Sequence, residues 1–172
     1  RLESPNGWWR DTAQRILTHR RTELSNSNVA DIVLVPTVNS VSPAVRAQLT
    51  AFLAELASTP GSRIAEWDSR KHASAVLMDD DPRVRRIGVL MFERLLADES
   101  NAELKEFVEA KTATDADLGV RLQLILTLGQ LGGEQSARML AQMMFDNFSD
   151  DTLRNAALSS LRPDHMPYVL EE

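Results

Sequence analysis

The residues that could do chemistry are few, and their spacing argues against most of it. Asp79, Asp80 and Asp81 could attract a cation, but they lack the alternating positions with which a calcium loop wraps its ion, so they read as a loop and a helix cap. His19, His72 and His165 lie far apart and none has a second ligand-type histidine at helical spacing, which favours surface or packing roles over metal binding. Ser159 and Ser160 fall in an expected helix without the G-x-S-x-G turn that would present a nucleophile. Neither G-x-G-x-x-G nor G-x-x-x-x-G-K-[ST] occurs, and the pair Gly132-Gly133 reads as a helix stop. The absence of cysteine excludes disulfides, thiolate metal sites, a cysteine nucleophile and c-type haem attachment within these residues. No catalytic, cofactor-binding or metal-binding residue is therefore expected in this segment.

What the sequence does carry is a repeat. GWWR ends at Arg10, PAVR at Arg46, PRVR at Arg85, LGVR at Arg121 and DTLR at Arg154, at intervals of 36, 39, 36 and 33 residues. Four residues before each arginine stands a short polar residue: Asn6, Ser42, Asp81, Asp117 and Asp150. Such side chains accept the unpaired amide hydrogens of a first helical turn, so five helix starts are marked. Pro43 and Pro82 follow two of these caps, where a missing amide hydrogen costs nothing.

An apolar stripe continues from each start. Trp9, Val45, Val84, Val120 and Leu153 precede the arginines; Ala13, Leu49, Gly88, Leu124 and Ala157 lie three residues after; Leu17, Leu53, Phe92, Leu128 and Leu161 lie seven after. This is the spacing of one helix face, with small residues placed where helices cross closely. Further helices are expected near 28–35, 62–78, 101–111 and 134–145, separated from the first set by Pro36, Thr59-Pro60-Gly61 and the glycine pair. Met139, Met143 and Met144, spaced with Leu140 and Phe145, read as core filling. Each unit is then a helical hairpin that must stack on its neighbours to bury its faces.

Composition sets the outer limits. The chain has 172 residues, 43% hydrophobic and 26% charged, as folded proteins do, and no apolar run approaches the length of a bilayer span. A net charge of −6 has the wrong sign for a surface that neutralises phosphates, so nucleic acid is disfavoured as a partner.

A period near 36 with an apolar-Arg pair opening the second helix resembles HEAT repeats, and DDDPRVRR at 79–86 is close to that family's Asp-Pro-x-x-Val-Arg pattern. The resemblance implies an all-α superhelix of about four to five hairpins. It also implies that the recurrent acidic and basic residues, here Asp81, Asp117 and Asp150 with Arg10, Arg46, Arg85, Arg121 and Arg154, serve as caps and as a ladder of pairs along the stack. The succession of NGWWRDTAQRIL, DDDPRVRR, VRLQLILTLGQLGG and LRNAALSSL is similar to a segment of large exported proteins of planctomycete-type bacteria, labelled membrane-bound dehydrogenases or haem-binding proteins. In those proteins the helical segment follows a propeller resembling quinoprotein sugar dehydrogenases, and a cytochrome c domain with C-x-x-C-H often comes after it. The similarity is weakest from about residue 25 to 75, where VRAQLTAF stands in place of an Arg-Leu-His-Ala-Leu-Trp stretch. It implies a periplasmic or otherwise exported location, and places any quinone or c-type haem in neighbouring domains.

Trp8 and Trp9 are adjacent, and one helix face cannot readily bury both. Trp9 holds the stripe position and is expected in the core. Trp8 aligns with Ala44, Arg83, Gly119 and Thr152, which are small or polar, and is the candidate docking residue for a preceding domain or for the loop at 1–5. LESP leads directly into the second helix of a unit, and HMPYVLEE resembles the first helix of another, so residues 1–172 are expected to be one HEAT-like domain cut from a longer protein. The function expected is that of a non-catalytic scaffold joining domains of one chain or binding a protein partner. A free-standing interaction protein is the alternative. A HEAT-like enzyme such as a DNA glycosylase is disfavoured, because Asp11, Ala47, Arg86, Leu122 and Asn155, the residues just after each arginine, form no basic stripe.

Overall fold

In all five units the carbonyl of the residue four before the arginine accepts the arginine's backbone N–H, at 3.3 Å for Asn6–Arg10, 3.1 Å for Ser42–Arg46, 3.2 Å for Asp81–Arg85, and 3.0 Å for both Asp117–Arg121 and Asp150–Arg154. These are the first intrahelical bonds of five helices, and they fix where each begins. Side chains complete caps as well: Asn6 accepts from Trp8 N–H, Asp81 from Arg83, Asp117 from Val120, and Asp150 from both Thr152 and Leu153.

The structure is a computed structural model that describes residues 4–20, 23, 42–57, 74–96, 106, 108, 110–112, 114–146 and 150–170. Its elements are α1 (Gly7–His19), α2 (Pro43–Ala57), α3 (Pro82–Leu96), α4 (Leu118–Leu131), α5 (Gly133–Asp146), α6 (Asp151–Ser160), a 3-10 turn (Pro163–His165) and α7 (Met166–Val169). Residues 74–77 and the described ones between 106 and 114, apart from these, are helical as well. The protein is all-α, with no strand among the described residues. No helix among them is long and apolar enough to cross a membrane. The helix expected near 28–35 and most of that near 62–78 lie outside the described residues, as does His72.

The chain divides into two compact units, Arg1–Met91 and Phe92–Glu172. In the first, α1 and α2 run parallel. Gln48 Nε2 donates to Asp11 Oδ1 at 3.0 Å near their starts, and Thr18 Oγ1 donates to Glu55 Oε2 at 2.8 Å near their ends. Val45, Leu49, Phe52 and Leu53 of α2 are buried, as are Val76, Leu77, and Val84 and Val89 of α3. Gly88 makes a close crossing possible, since a methyl group there would stand 2.6 Å from Val76 Cγ1.

In the second unit α4, α5 and α6 pack on one another around Ile125, Leu128, Leu140, Met143, Leu153 and Ala157. The turn between α4 and α5 needs glycine, because Gly132 and Gly133 take φ of +67° and +84°, where a side chain would be strained. Gly129 lets α4 approach the α6 backbone, with Ser160 O only 2.6 Å from where a Cβ would stand. The buried Thr127 hydroxyl is satisfied by Glu93 Oε1 at 2.7 Å. The 3-10 turn and α7 lie against α5.

The residue before the arginine is buried in four units and not in the first. Val45, Val84, Val120 and Leu153 are inside, whereas Trp9 is 38% exposed and no residue of α1 is buried. Asp11 and Thr18, which bond to α2, lie on the side of α1 away from Trp9. Phe145 is likewise outside at 69% exposure, while Met143 is buried and Met139 and Met144 pack partly on the core. Five residues beyond Leu140, its side chain is turned about 140° from the core-facing side of α5.

Candidate functional site

Arginines at the repeat positions hold the loops that precede their helices. Arg10 Nη1 donates to the carbonyls of Ser4 and Pro5 at 2.7 and 3.1 Å, and Arg85 Nη1 donates to those of Asp79 and Asp80 at the same distances. In both units the guanidinium folds back to hold the loop that precedes its own helix. Two residues before the cap, a second acceptor braces the loop: Ser4 Oγ takes the Asn6 N–H at 3.2 Å, Asp79 Oδ1 that of Asp81 at 2.8 Å, and Asp115 Oδ1 that of Asp117 at 2.9 Å. Short polar side chains do this because they imitate a backbone turn.

Asp79 also receives Arg46 of α2, in a two-point pair with both side chains largely buried. This pair uses the residue two before the cap, not the cap Asp81 that the resemblance implies for a ladder. Asp81 itself is held by Arg83, which donates to it through Nε at 3.0 Å and Nη2 at 2.7 Å. The Arg83 guanidinium keeps the Asp81 carboxyl at about 2, well below the ordinary carboxylate range, and the hydrogen bond from Arg46 to Asp79 raises Arg46 above the usual guanidinium value. Arg154 pairs with Asp151 in the first turn of α6, and Asp117 and Asp150 act at their caps. Arg121 lies half-buried at the start of α4. Two of the three consecutive carboxylates thus already hold guanidinium and amide groups, and the 79–81 loop acts as a joint between α2 and α3.

The equivalence of Ser4, Asp79 and Asp115 was present in the sequence as an acidic or hydroxyl residue two before the cap. It becomes visible once D-x-D at 79–81 is laid over D-x-D at 115–117. Arginine spacing alone points to the cap instead.

Trp8 is 61% exposed at its register position, with Ala44, Arg83 and Thr152 exposed and Gly119 half-buried at the equivalent ones. Its ring meets Trp9 edge to face, centroids 4.7 Å apart and planes at 75°. Ile16, also exposed, extends the apolar surface of α1 toward its C-terminal end. Ser159 and Ser160 spend their hydroxyls on the carbonyl of Ala156, His19 is exposed, and His165 is fully buried. No family model and no curated protein matches the chain.

Proposed function

We propose that this chain is a non-catalytic helical-repeat scaffold of the HEAT kind, whose first helix seats a neighbouring protein surface at Trp8. The observation that carries the reading is the large indole left open on a helix with no buried residue, at a position where the other units hold small or polar residues. Covering such a ring contributes about 2 to 3 kcal/mol, so it is a surface with a use for a partner. The matching caps in all five units support a repeat, and the parallel contact of α1 with α2 supports stacking of equivalent helices. If the family resemblance holds, the partner would lie in the same polypeptide, and a propeller of the quinoprotein type before this segment and a cytochrome c domain after it would carry any cofactor and the substrate oxidation.

Trp8 can be made the single tryptophan by Trp9→Phe and Trp67→Phe, and its quenching by acrylamide compared in this chain and in the full natural polypeptide. Free quenching here with strong protection in the natural polypeptide is expected. Equal quenching in both overturns the docking role. Reading the coding DNA on either side distinguishes a multidomain parent from a free-standing repeat protein, in which Trp8 would face a separate partner.

A further inference from the structure

Within each compact unit, neighbouring helices meet through the same pair of sides. Thr18, Glu93 and Gly129 each stand eight residues after an arginine of the repeat, and each touches the next equivalent helix. Thr18 donates to Glu55 at 2.8 Å, Glu93 accepts from Thr127 at 2.7 Å, and Gly129 admits Ser160, whose carbonyl oxygen is 2.6 Å from where a Cβ would stand. Asp11, one residue after its arginine, accepts from Gln48 at 3.0 Å. Positions one and eight after the arginine share one side of a helix, the presenting side. Gln48, Thr127, Ser160 and Glu55 stand two, six, six and nine after theirs, and share another, the receiving side.

Two helices keep one of these sides open. On α1 the receiving side carries Ile16, six after Arg10 and 53% exposed, with Trp8 and Trp9 flanking it. On α6 the presenting side carries the exposed Asn155 and, beside it, Leu158, which is 47% exposed. Leu158 stands four residues after its arginine, where Thr50, Val89 and Ile125 are all buried. Ile125 shares its core cluster with Leu153 and Ala157 of α6, so it shows what such a position looks like once a further helix covers it. Arg162, eight after Arg154, lies beyond the end of α6 and spends its guanidinium on Asp164 and the Gln130 carbonyl. Trp8, Trp9, Thr12 and Ile16 on one side and Asn155 and Leu158 on the other bear no charge. Two copies of a chain of net charge −6 can therefore meet there without burying an unpaired one.

We propose that a second copy of this chain occupies the open side of α1: α6 of one copy lies on α1 of the next, with Leu158 against Ile16 and the indoles, and repeats between chains the contact that helices make within each. This pairing rests on the same open face that the docking role uses, and names another copy as its occupant. It joins two different sides, so each junction leaves a free α1 on one copy and a free α6 on the other, and growth is open-ended.

Sedimentation equilibrium of this chain should give a mean mass that climbs with concentration. Ile16→Arg places a charge on the receiving side and Leu158→Arg on the presenting side; both residues are exposed, so helical circular dichroism should be unchanged. Each variant alone should stay a monomer. An equimolar mixture of the two should form a one-to-one pair and grow no further, because only one open α1 and one open α6 remain. A natural-sequence chain that stays monomeric, a variant that still self-associates, or a mixture that stays apart overturns the pairing. Protection of Trp8 in the full natural polypeptide beside a chain that never associates removes the second copy and leaves the docking role standing.

Discussion

Arg46 and Asp79, 33 residues apart, meet through two hydrogen bonds, Nε to Oδ2 at 2.6 Å and Nη2 to Oδ1 at 2.7 Å, and the same Oδ1 takes the backbone N–H of Asp81 at 2.8 Å. One carboxylate thus ties the start of α2 to the loop that caps α3. The side chains are 13% and 11% exposed, so the pair is shielded from water without being sealed from it. Arg46→Ala should cost about 1 to 3 kcal/mol, less than the roughly 3 to 5 of a fully buried pair. Asp79→Ala should cost more than Arg46→Ala, because it also removes the loop acceptor. Arg46→Lys should recover little, since an ammonium cannot make the forked contact. A double-mutant cycle in urea tests this; a coupling energy near zero would show that the two residues are merely adjacent.

Acid should weaken the next joint along. Asp81 is held at about 2 when folded, against about 3.9 for an unfolded aspartate, so its pair with Arg83 stabilises the native state above the unfolded value and loses that effect as pH falls toward 2. Asp81→Asn keeps a capping oxygen but not the ion pair. The wild-type advantage in urea midpoint should be constant above about pH 5 and vanish near pH 2. An advantage that grows on acidification has the wrong sign for this pair.

The buried stripe predicts where charge is intolerable. Val120 and Leu124 are inside the second unit, and Val120→Asp or Leu124→Asp should cost about 3 to 5 kcal/mol or unfold it outright. Ala44 is exposed in the first turn of α2, where a carboxylate also suits the helix dipole, so Ala44→Asp should be neutral or slightly stabilising. Thermal unfolding of the three variants orders them; equal shifts would contradict the assignment of faces.

Much of this organisation was legible in the sequence because it is local. A cap, an arginine four residues on and an apolar residue before it sit within one turn, and their geometry is set by the helix itself. The burial of Val45, Val84, Val120 and Leu153 follows from the same register, as each needs only a neighbouring helix to cover it. Trp9 shows what the register omits: the same position in α1 is open, because burial depends on what covers the helix and not on the helix alone. The partner of Arg46 was hidden for a related reason. Its distance along the chain is set by how one unit meets the next, and the sequence offers three adjacent carboxylates without showing which of them the guanidinium reaches.

Two glycines in the helix crossings differ in what they touch, and that difference can be measured. At Gly88 a methyl group would stand 2.6 Å from Val76 Cγ1, a side-chain atom; at Gly129 it would stand 2.6 Å from the backbone Ser160 O, 2.7 Å from Ser160 Cβ and 3.1 Å from the backbone Ser160 Cα. Alanine gains about 1 kcal/mol over glycine in a helix interior, and overpacking costs about 1 to 3 kcal/mol. For Gly88→Ala the two effects nearly offset, and Val76→Ala in the same chain should relieve the crowding that remains. For Gly129→Ala the α4 and α6 backbones must separate, opening the core around Leu128 and Leu153. A net loss of about 2 kcal/mol is expected there, and no shortening of the Ser160 side chain should restore it, because Ser160→Gly leaves the carbonyl oxygen in place. Urea unfolding of the two alanine variants, each with and without its second substitution, checks the contrast. Rescue of Gly129→Ala by Ser160→Gly would mean that the side chain, not the carbonyl, sets how closely α4 and α6 approach.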